Sequence, residues 1–97
     1  MNLNEEIQRG EHAELLVNNQ MFVEAFKTLR EGILNAIEDA PIRDREGVHE
    51  LKLMLKLTKD VQAHIVGIVE TGKMAKIQLE QEAKINRLQK AGLKVYG

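Results

Sequence analysis

The chain has 97 residues, which is enough for one domain but too few for a large hydrophobic core. Apolar residues make up 43% and charged residues 30%, a balance that excludes a disordered chain, and aromatic residues reach only 3%. The core must therefore be aliphatic, and the absence of cysteine excludes disulfides, thiolate zinc sites and cysteine nucleophiles.

The net charge of -1 hides an uneven distribution along the chain. Residues 1–40 carry eight acids and three bases, residues 41–72 carry five of each, and residues 73–97 carry six bases and two acids. The two ends therefore have opposite signs. This asymmetry favours antiparallel or head-to-tail self-association, or contact between the basic end and an acidic partner.

The first segment predicts a weak or late-forming helix from Leu3 to Val17. Its apolar residues follow a loose helical spacing, but Gly10 interrupts them at a cost of about 1 kcal/mol relative to alanine. This end of the chain is acidic and lacks the apolar run of a signal peptide. Asn18 and Asn19 then supply a turn and an N-cap for the next helix.

The second segment predicts a helix from Gln20 to Asp39, with apolar residues three and four apart. These residues are Phe22, Ala25, Phe26, Leu29, Ile33, Ala36 and Ile37. Gly32 lies beside this stripe, where it would permit close contact with another helix. The helix should end before Pro41, because proline disfavours the α conformation at the preceding residue.

A third helix is predicted from about Arg45, with Asp44 as its N-cap. Its apolar face consists of Val48, Leu51, Met54, Leu55, Thr58, Val61, Ile65, Ile68 and Val69. The short turn at residues 40–44 makes the flanking helices antiparallel neighbours. The sequence thus predicts a core hairpin over residues 20–71 in a single helical domain spanning 1–97.

The C-terminal segment predicts a basic helix over residues 73–91. Thr71 and Gly72 could either end the preceding helix or lie within it, so continuity stays open. The apolar stripe of this segment is thin, and we expect it to pack on a neighbouring subunit or partner. Gly92 should end the helix and leave residues 93–97 as an extended tail.

The predicted fold class is therefore all-α: an antiparallel helical hairpin with a short N-terminal helix and a long basic C-terminal helix, assembled as an oligomer. No stretch reaches the roughly 20 apolar residues that a membrane span requires. We accordingly expect self-association and contacts with other protein subunits, and no membrane partner.

Nothing in the sequence predicts a catalytic centre, a cofactor site or a metal site. Glu46 and His49 have the Glu-x-x-His spacing of helical carboxylate metal centres, but one such element at a helix start is not a site. His12 and His64 lack partners at ligand spacing. The chain also has no serine, no phosphate-binding glycine-rich loop and no dinucleotide fingerprint. We therefore expect a protein that is not an enzyme.

Two groups of basic residues are candidate binding residues. Arg43 and Arg45 flank Asp44 at the hairpin tip, where they form either an anion or partner contact or a solvated turn with an internal ion pair. The C-terminal group is Lys73, Lys76, Lys84, Arg87 and Lys90. Its helical spacing suits a phosphate backbone, but Glu80 and Glu82 interrupt it and no base-stacking aromatic is interleaved, which favours a protein interface or a solvated face.

Several runs resemble small hairpin proteins encoded by tailed bacteriophages, over about two thirds of the chain. They are Phe22-Val23-Glu24-Ala25-Phe26, Ala40-Pro41-Ile42-Arg43-Asp44-Arg45-Glu46-Gly47, Leu51-Lys52-Leu53-Met54-Leu55 and Val69-Glu70-Thr71-Gly72-Lys73-Met74-Ala75. The resemblance implies a phage protein, located in the virion or in the cytoplasm of the host cell. It also implies a non-catalytic structural or assembly role.

A more distant similarity is to phage helical-hairpin proteins that oligomerise and sequester cyclic-nucleotide immune signals. Those proteins also have a proline-containing turn with Arg and Glu nearby before the second helix. The long basic C-terminal helix departs from their pattern, so no ligand residue is carried over. The alternative hypothesis that follows is a small phage protein that binds nucleic acid or an anionic cyclic nucleotide.

Overall fold

The structure, a computed structural model, describes residues 1–92 and contains three helices. They are α1 (Leu3–Val17), α2 (Gln20–Asp39) and α3 (Arg45–Lys90). The predicted all-α class is confirmed, and the described residues include no strand. The tail predicted at residues 93–97 lies outside the described residues.

Each helix begins at a side-chain cap of the same kind. Asn2, Asn19 and Asp44 each accept a hydrogen bond from the backbone N–H three residues later, at 2.8, 3.1 and 3.0 Å. Ala40 has an extended backbone with ψ of 139°, as expected before Pro41. The caps predicted at Asn19 and Asp44 are therefore confirmed, and they fix where α2 and α3 start.

The third helix does not break at Thr71 and Gly72. It runs for 46 residues, so of the two possibilities that the sequence left open at Thr71 and Gly72, the structure has the continuous helix, and the helix predicted over 73–91 is the second half of α3. One glycine costs a helix only about 1 kcal/mol relative to alanine, and the Lys, Glu, Gln, Ala and Leu residues that follow Gly72 favour continuation of the helix. The helix ends at Lys90, and Gly92 follows with a φ of +79°, a left-handed conformation that glycine adopts without strain.

The second helix packs on the first half of α3 through one stripe of side chains. Ile33 is 5% exposed and Thr58 of α3 is buried, with its hydroxyl donating to the carbonyl oxygen of Met54 at 2.9 Å. The rings of Phe22 and Phe26 lie 4.7 Å apart at the half-buried start of the stripe. This contact covers only part of the predicted apolar face.

The faces predicted for α2 and α3 divide into a covered and an exposed part. On α2, Ala25, Leu29 and Ala36 are exposed although they belong to the predicted stripe, and on α3 so are Met54 and Val61. Gly32 has no neighbouring atom within 4 Å of where its Cβ would lie, so no other helix approaches it in the single chain.

The first helix packs on the second half of α3 more extensively than α2 packs on the first half. The closest approach joins Gly10 to Gly72: a Cβ built at Gly10 would lie 2.8 Å from the Cα of Gly72, and one at Gly72 would lie 2.7 Å from the Cα of Gly10. Ala13 and Ala75 are buried beside this crossing. Gly10, which the sequence suggested would weaken α1, instead allows α1 to dock.

The resulting molecule is elongated and has little interior. It measures 75 × 27 × 18 Å with a radius of gyration of 21.7 Å, whereas a compact chain of this length would have about 12.5 Å. Among residues 1–92 the buried apolar side chains are Ala13, Ile33, Val69 and Ala75, and no large side chain is fully buried. The hydrophobic core within one chain is therefore small.

Candidate interaction surfaces

The turn between α2 and α3 presents Arg43 and Arg45 to solvent. Asp44 lies between them and is engaged in capping α3 through the N–H of Gly47. Within residues 1–92, neither arginine lies within ion-pair distance of a carboxylate. Ile42 beside them is 97% exposed. The tip thus combines two cations with an uncovered aliphatic side chain, which suits a partner contact as well as an anion.

The C-terminal bases divide into two groups because only some of them lie beside α1. The ammonium of Lys73 lies 3.9 Å from the carboxylate of Glu14, and Lys73 and Lys76 line a surface pocket with Glu11 and Glu14. Part of the charge asymmetry between the chain ends is therefore satisfied within one molecule. The energy of this exposed pair is small.

Lys84, Arg87 and Lys90 form the second group, on the last turns of α3. They are exposed, and within the described part of the chain no carboxylate comes within ion-pair distance of them. Arg87 and Lys90 also lie in the last turn of α3, where positive charge is favoured by the helix dipole. These three residues remain available to an anionic partner.

Glu46 and His49 lie exposed at the start of α3. No group of three or more His, Cys, Asp or Glu side chains that could hold a metal ion is found in residues 1–92. None of the three helices combines the length and apolarity needed to cross a membrane.

An exposed apolar surface was not among the sites predicted from the sequence. Two groups of large aliphatic side chains are exposed along α2 and α3. The first group lies on the parts of α2 and α3 that pack on each other: Leu29, Leu53, Met54, Leu57 and Val61. The second lies on the C-terminal part of α3: Met74, Ile77, Leu79 and Ile85. Within these groups, Met54, Leu57 and Val61 share one helical stripe, and Met74, Ile77 and Ile85 share another, and exposed apolar stripes mark interaction surfaces.

The crossing of Gly10 and Gly72 was also missed, although the sequence contains a signal for it. Both helices carry Gly-x-x-Ala, as Gly10 to Ala13 and Gly72 to Ala75, and all four residues are buried. Small residues three apart share one helix face and let two backbones approach closely. Recognising the repeated motif would have indicated that these two segments meet.

No protein-family model, no curated protein and no solved structure matches the chain. Function must therefore be inferred from the surfaces of this molecule.

Proposed function

We propose that this chain is a non-catalytic, homo-oligomeric helical protein that acts through protein–protein contacts, as a structural or assembly component of a bacteriophage. It would occupy the virion or the cytoplasm of the infected host cell. The observation that carries the proposal is the incomplete core of the single chain.

The solvent-accessible surface of the single chain is much larger than that of a compact monomer. The chain exposes 8160 Å², whereas a compact monomer of 11.0 kDa would expose about 5,600 Å². The excess of about 2,500 Å² exceeds the roughly 800 Å² that one partner buries in a standard interface. A chain with so little buried apolar area gains stability when partners cover the remainder.

The antiparallel hairpin is part of the proposal. Five residues connect α2 to α3, a loop length that is typical of adjacent antiparallel helices. Arg30 of α2 lines one groove with Leu55 and Lys59 of α3, and these residues are at comparable distances from the turn on either side. Such a hairpin has two faces outside its contact seam, and one of them is apolar.

The phage role follows from the resemblance carried by Phe22-Val23-Glu24-Ala25-Phe26 and by the turn around Pro41. An elongated helical protein with a small core suits a repeating assembly, because each copy can complete the surface of its neighbour.

Light scattering and sedimentation of the purified chain over a wide concentration range test the first part. The expected mass is a multiple of 11.0 kDa. Pull-down from an infected-cell lysate, with mass spectrometry of purified particles, tests the second part. A well-folded monomer at every concentration, with no partner in particle or lysate, would contradict the proposal.

A second candidate function, binding of nucleic acid or of an anionic cyclic nucleotide, is favoured by the exposed bases Lys84, Arg87 and Lys90. Calorimetry against duplex DNA and against a cyclic dinucleotide, at low and raised salt, tests it. Binding should weaken with salt and with the double change Lys84→Gln and Arg87→Gln, because each lost phosphate contact reduces counterion release. Lys52→Gln, an exposed lysine elsewhere on α3, is the control. Absence of heat at low salt rejects this function.

A further inference from the structure

We infer that a second copy of this chain covers one defined apolar face of the α2–α3 hairpin, and that the two hairpins form a four-helix bundle. This face, called the open face here, consists of Ala25, Leu29 and Gly32 of α2 with Met54, Leu57 and Val61 of α3. The inference rests on the proposed self-association and names the surface and the partner.

The residues of the open face are exposed in the single chain although most of them are large and apolar. Leu29 and Met54 are each 48% exposed, Val61 is 49% exposed and Leu57 is 62% exposed. Gly32 faces open space, with no atom within 4 Å of where its Cβ would lie. No charged residue occurs in the helical stripe that joins Met54, Leu57 and Val61, or in the one that joins Ala25, Leu29 and Gly32.

Helix geometry places the two stripes on the same side of the hairpin. The contact seam between α2 and α3 contains the buried or half-buried residues Phe26, Ile33, Leu55, Thr58 and Gln62. With one exception, Leu29, each open-face residue immediately precedes one of these seam residues. The pairs are Ala25 and Phe26, Gly32 and Ile33, Met54 and Leu55, Leu57 and Thr58, and Val61 and Gln62. Consecutive residues are about 100° apart around a helix, so both stripes are rotated from the seam in the same sense. Because the helices are antiparallel, this rotation turns both stripes to one side.

The same stripe of α3 continues into a contact that the chain already makes. From Val61 it passes through His64 and Ile68 to Gly72 and Ala75, in steps of three and four residues. His64 is exposed, Ile68 is half-buried, and Gly72 and Ala75 are buried by α1. The helix α1 therefore covers the second half of this stripe, whereas no helix of the single chain covers its first half.

A second copy fits the open face because the face is self-complementary. Its α2 stripe contains the small residues Ala25 and Gly32, and its α3 stripe contains the large residues Met54, Leu57 and Val61. A two-fold axis parallel to the helices places the α3 stripe of each copy on the α2 stripe of the other, so Met54 and Val61 meet the small residues of α2 and Leu57 meets Leu29. The whole chain exposes about 2,500 Å² more than a compact monomer would, and the roughly 800 Å² per copy that a standard dimer buries is about a third of that excess.

Sedimentation equilibrium of the full chain and of single variants tests this inference. The unmodified chain is expected at twice 11.0 kDa or a multiple of it. Leu57→Glu should weaken association at least about tenfold, because it places a charge in the centre of a desolvated interface. Leu15→Glu is the matched control, since Leu15 is an exposed leucine of α1, 73% exposed, outside the open face. Circular dichroism should show that both variants keep their helices.

The outcomes separate this inference from the proposed function. A monomeric unmodified chain would overturn both. An oligomer that Leu57→Glu leaves intact and that Ile85→Glu dissociates would overturn only the inference, because the C-terminal stripe of α3 would then be the interface. An oligomer with another protein that excludes a second copy would likewise overturn it.

Cysteine cross-linking tests the arrangement, since the chain has no cysteine of its own. Mixing Leu29→Cys copies with Leu57→Cys copies should yield a disulfide-linked dimer of one copy of each. Leu57→Cys copies alone should cross-link several-fold less, because α3 lies diagonally across the bundle from the other α3. Preferential cross-linking of Leu57→Cys with itself would overturn the arrangement.

Discussion

The two halves of α3 are covered in different ways. In the second half, α1 approaches so closely that a Cβ at either Gly10 or Gly72 would lie under 3.0 Å from the Cα of the other, and the stripe beneath α1 is buried. In the first half, α2 contacts α3 through larger side chains, with Ile33 as the one buried aliphatic residue of α2. Small residues thus allow one helix to bury a stripe by itself, whereas the bulkier seam leaves an adjacent stripe exposed.

This difference explains why the single chain has a covered apolar stripe on one half of α3 and an exposed apolar stripe on the other half. The α1 contact uses close backbone approach and needs no further partner. The α2 contact buries one stripe of a helix whose apolar sector is wider, so the remaining width needs another helix. Four substitutions test this difference between the two contacts, and their expected effects on stability decrease from the first to the last.

Ile33→Ala should have the largest effect. It removes the one buried large side chain of α2 and should lower the free energy of unfolding by about 2–4 kcal/mol. Chemical denaturation measures the loss, and amide exchange should accelerate in α2 before α1. Leu34→Ala, on an adjacent residue that is 42% exposed, should cost less than about 1 kcal/mol. Equal effects of the two changes would show that the seam is misassigned.

Gly72→Ala should weaken the contact between α1 and the second half of α3. Its new methyl group would lie 2.7 Å from the Cα of Gly10 and 3.0 Å from the carbonyl oxygen of Glu6, neither of which is a flexible side-chain end. The expected loss is about 1–2 kcal/mol, with faster amide exchange in α1 and little change in α2.

The control for this change is Gly67→Ala, on the same helix. A Cβ at Gly67 meets nothing within 4 Å, so alanine should stabilise the helix by up to about 1 kcal/mol. Stabilisation by both changes would contradict the close crossing of α1 and α3.

Asp44→Ala should have an intermediate effect, limited to the half that contains the turn. It removes the acceptor for the Gly47 N–H at the start of α3 and should cost about 1 kcal/mol. Asp60→Ala, an exposed position within the helix, should change stability by less than about 0.5 kcal/mol. Thermal unfolding of the two variants distinguishes a cap from a general charge effect.

Glu14→Gln should have the smallest effect. The pair that Glu14 forms with Lys73 is long, at 3.9 Å, and both side chains are about half exposed or more. Its removal should change stability by less than about 0.5 kcal/mol, and the change should vanish in 1 M salt. A loss above about 1 kcal/mol at low salt that Glu31→Gln does not share, and that vanishes at high salt, would show that the contact between α1 and α3 depends on charge rather than on packing.

Much of the local structure could be predicted from the sequence, because its causes are local. The 3.6-residue periodicity, the caps at Asn19 and Asp44 and the proline at position 41 depend on neighbouring residues alone, and they located all three helices. The breadth of the apolar sector on α2 and α3 was likewise visible in the sequence. Which residues of that sector are covered and which are exposed could not be predicted, because this depends on the side from which α2 and α3 approach each other.

The candidate site was predictable only in part, for the same reason. The cations Arg43, Lys84 and Arg87 were recognisable by residue type and spacing, they are exposed, and their role in binding stays a prediction. Lys73 could not be distinguished from them, since its neighbour Glu14 is distant in sequence. The open face escaped attention because apolar residues at helical spacing first indicate a core.

The sequence by itself determined that this protein is helical, where its helices begin, and that its two ends differ in charge. Only the tertiary structure decided that Gly72 is a contact point, because the helix that packs on it carries Gly10, more than sixty residues away in the chain. It also decided which half of the α3 stripe is covered. Helix periodicity acts over one or two turns, whereas the pairing of faces depends on which helix approaches and how closely.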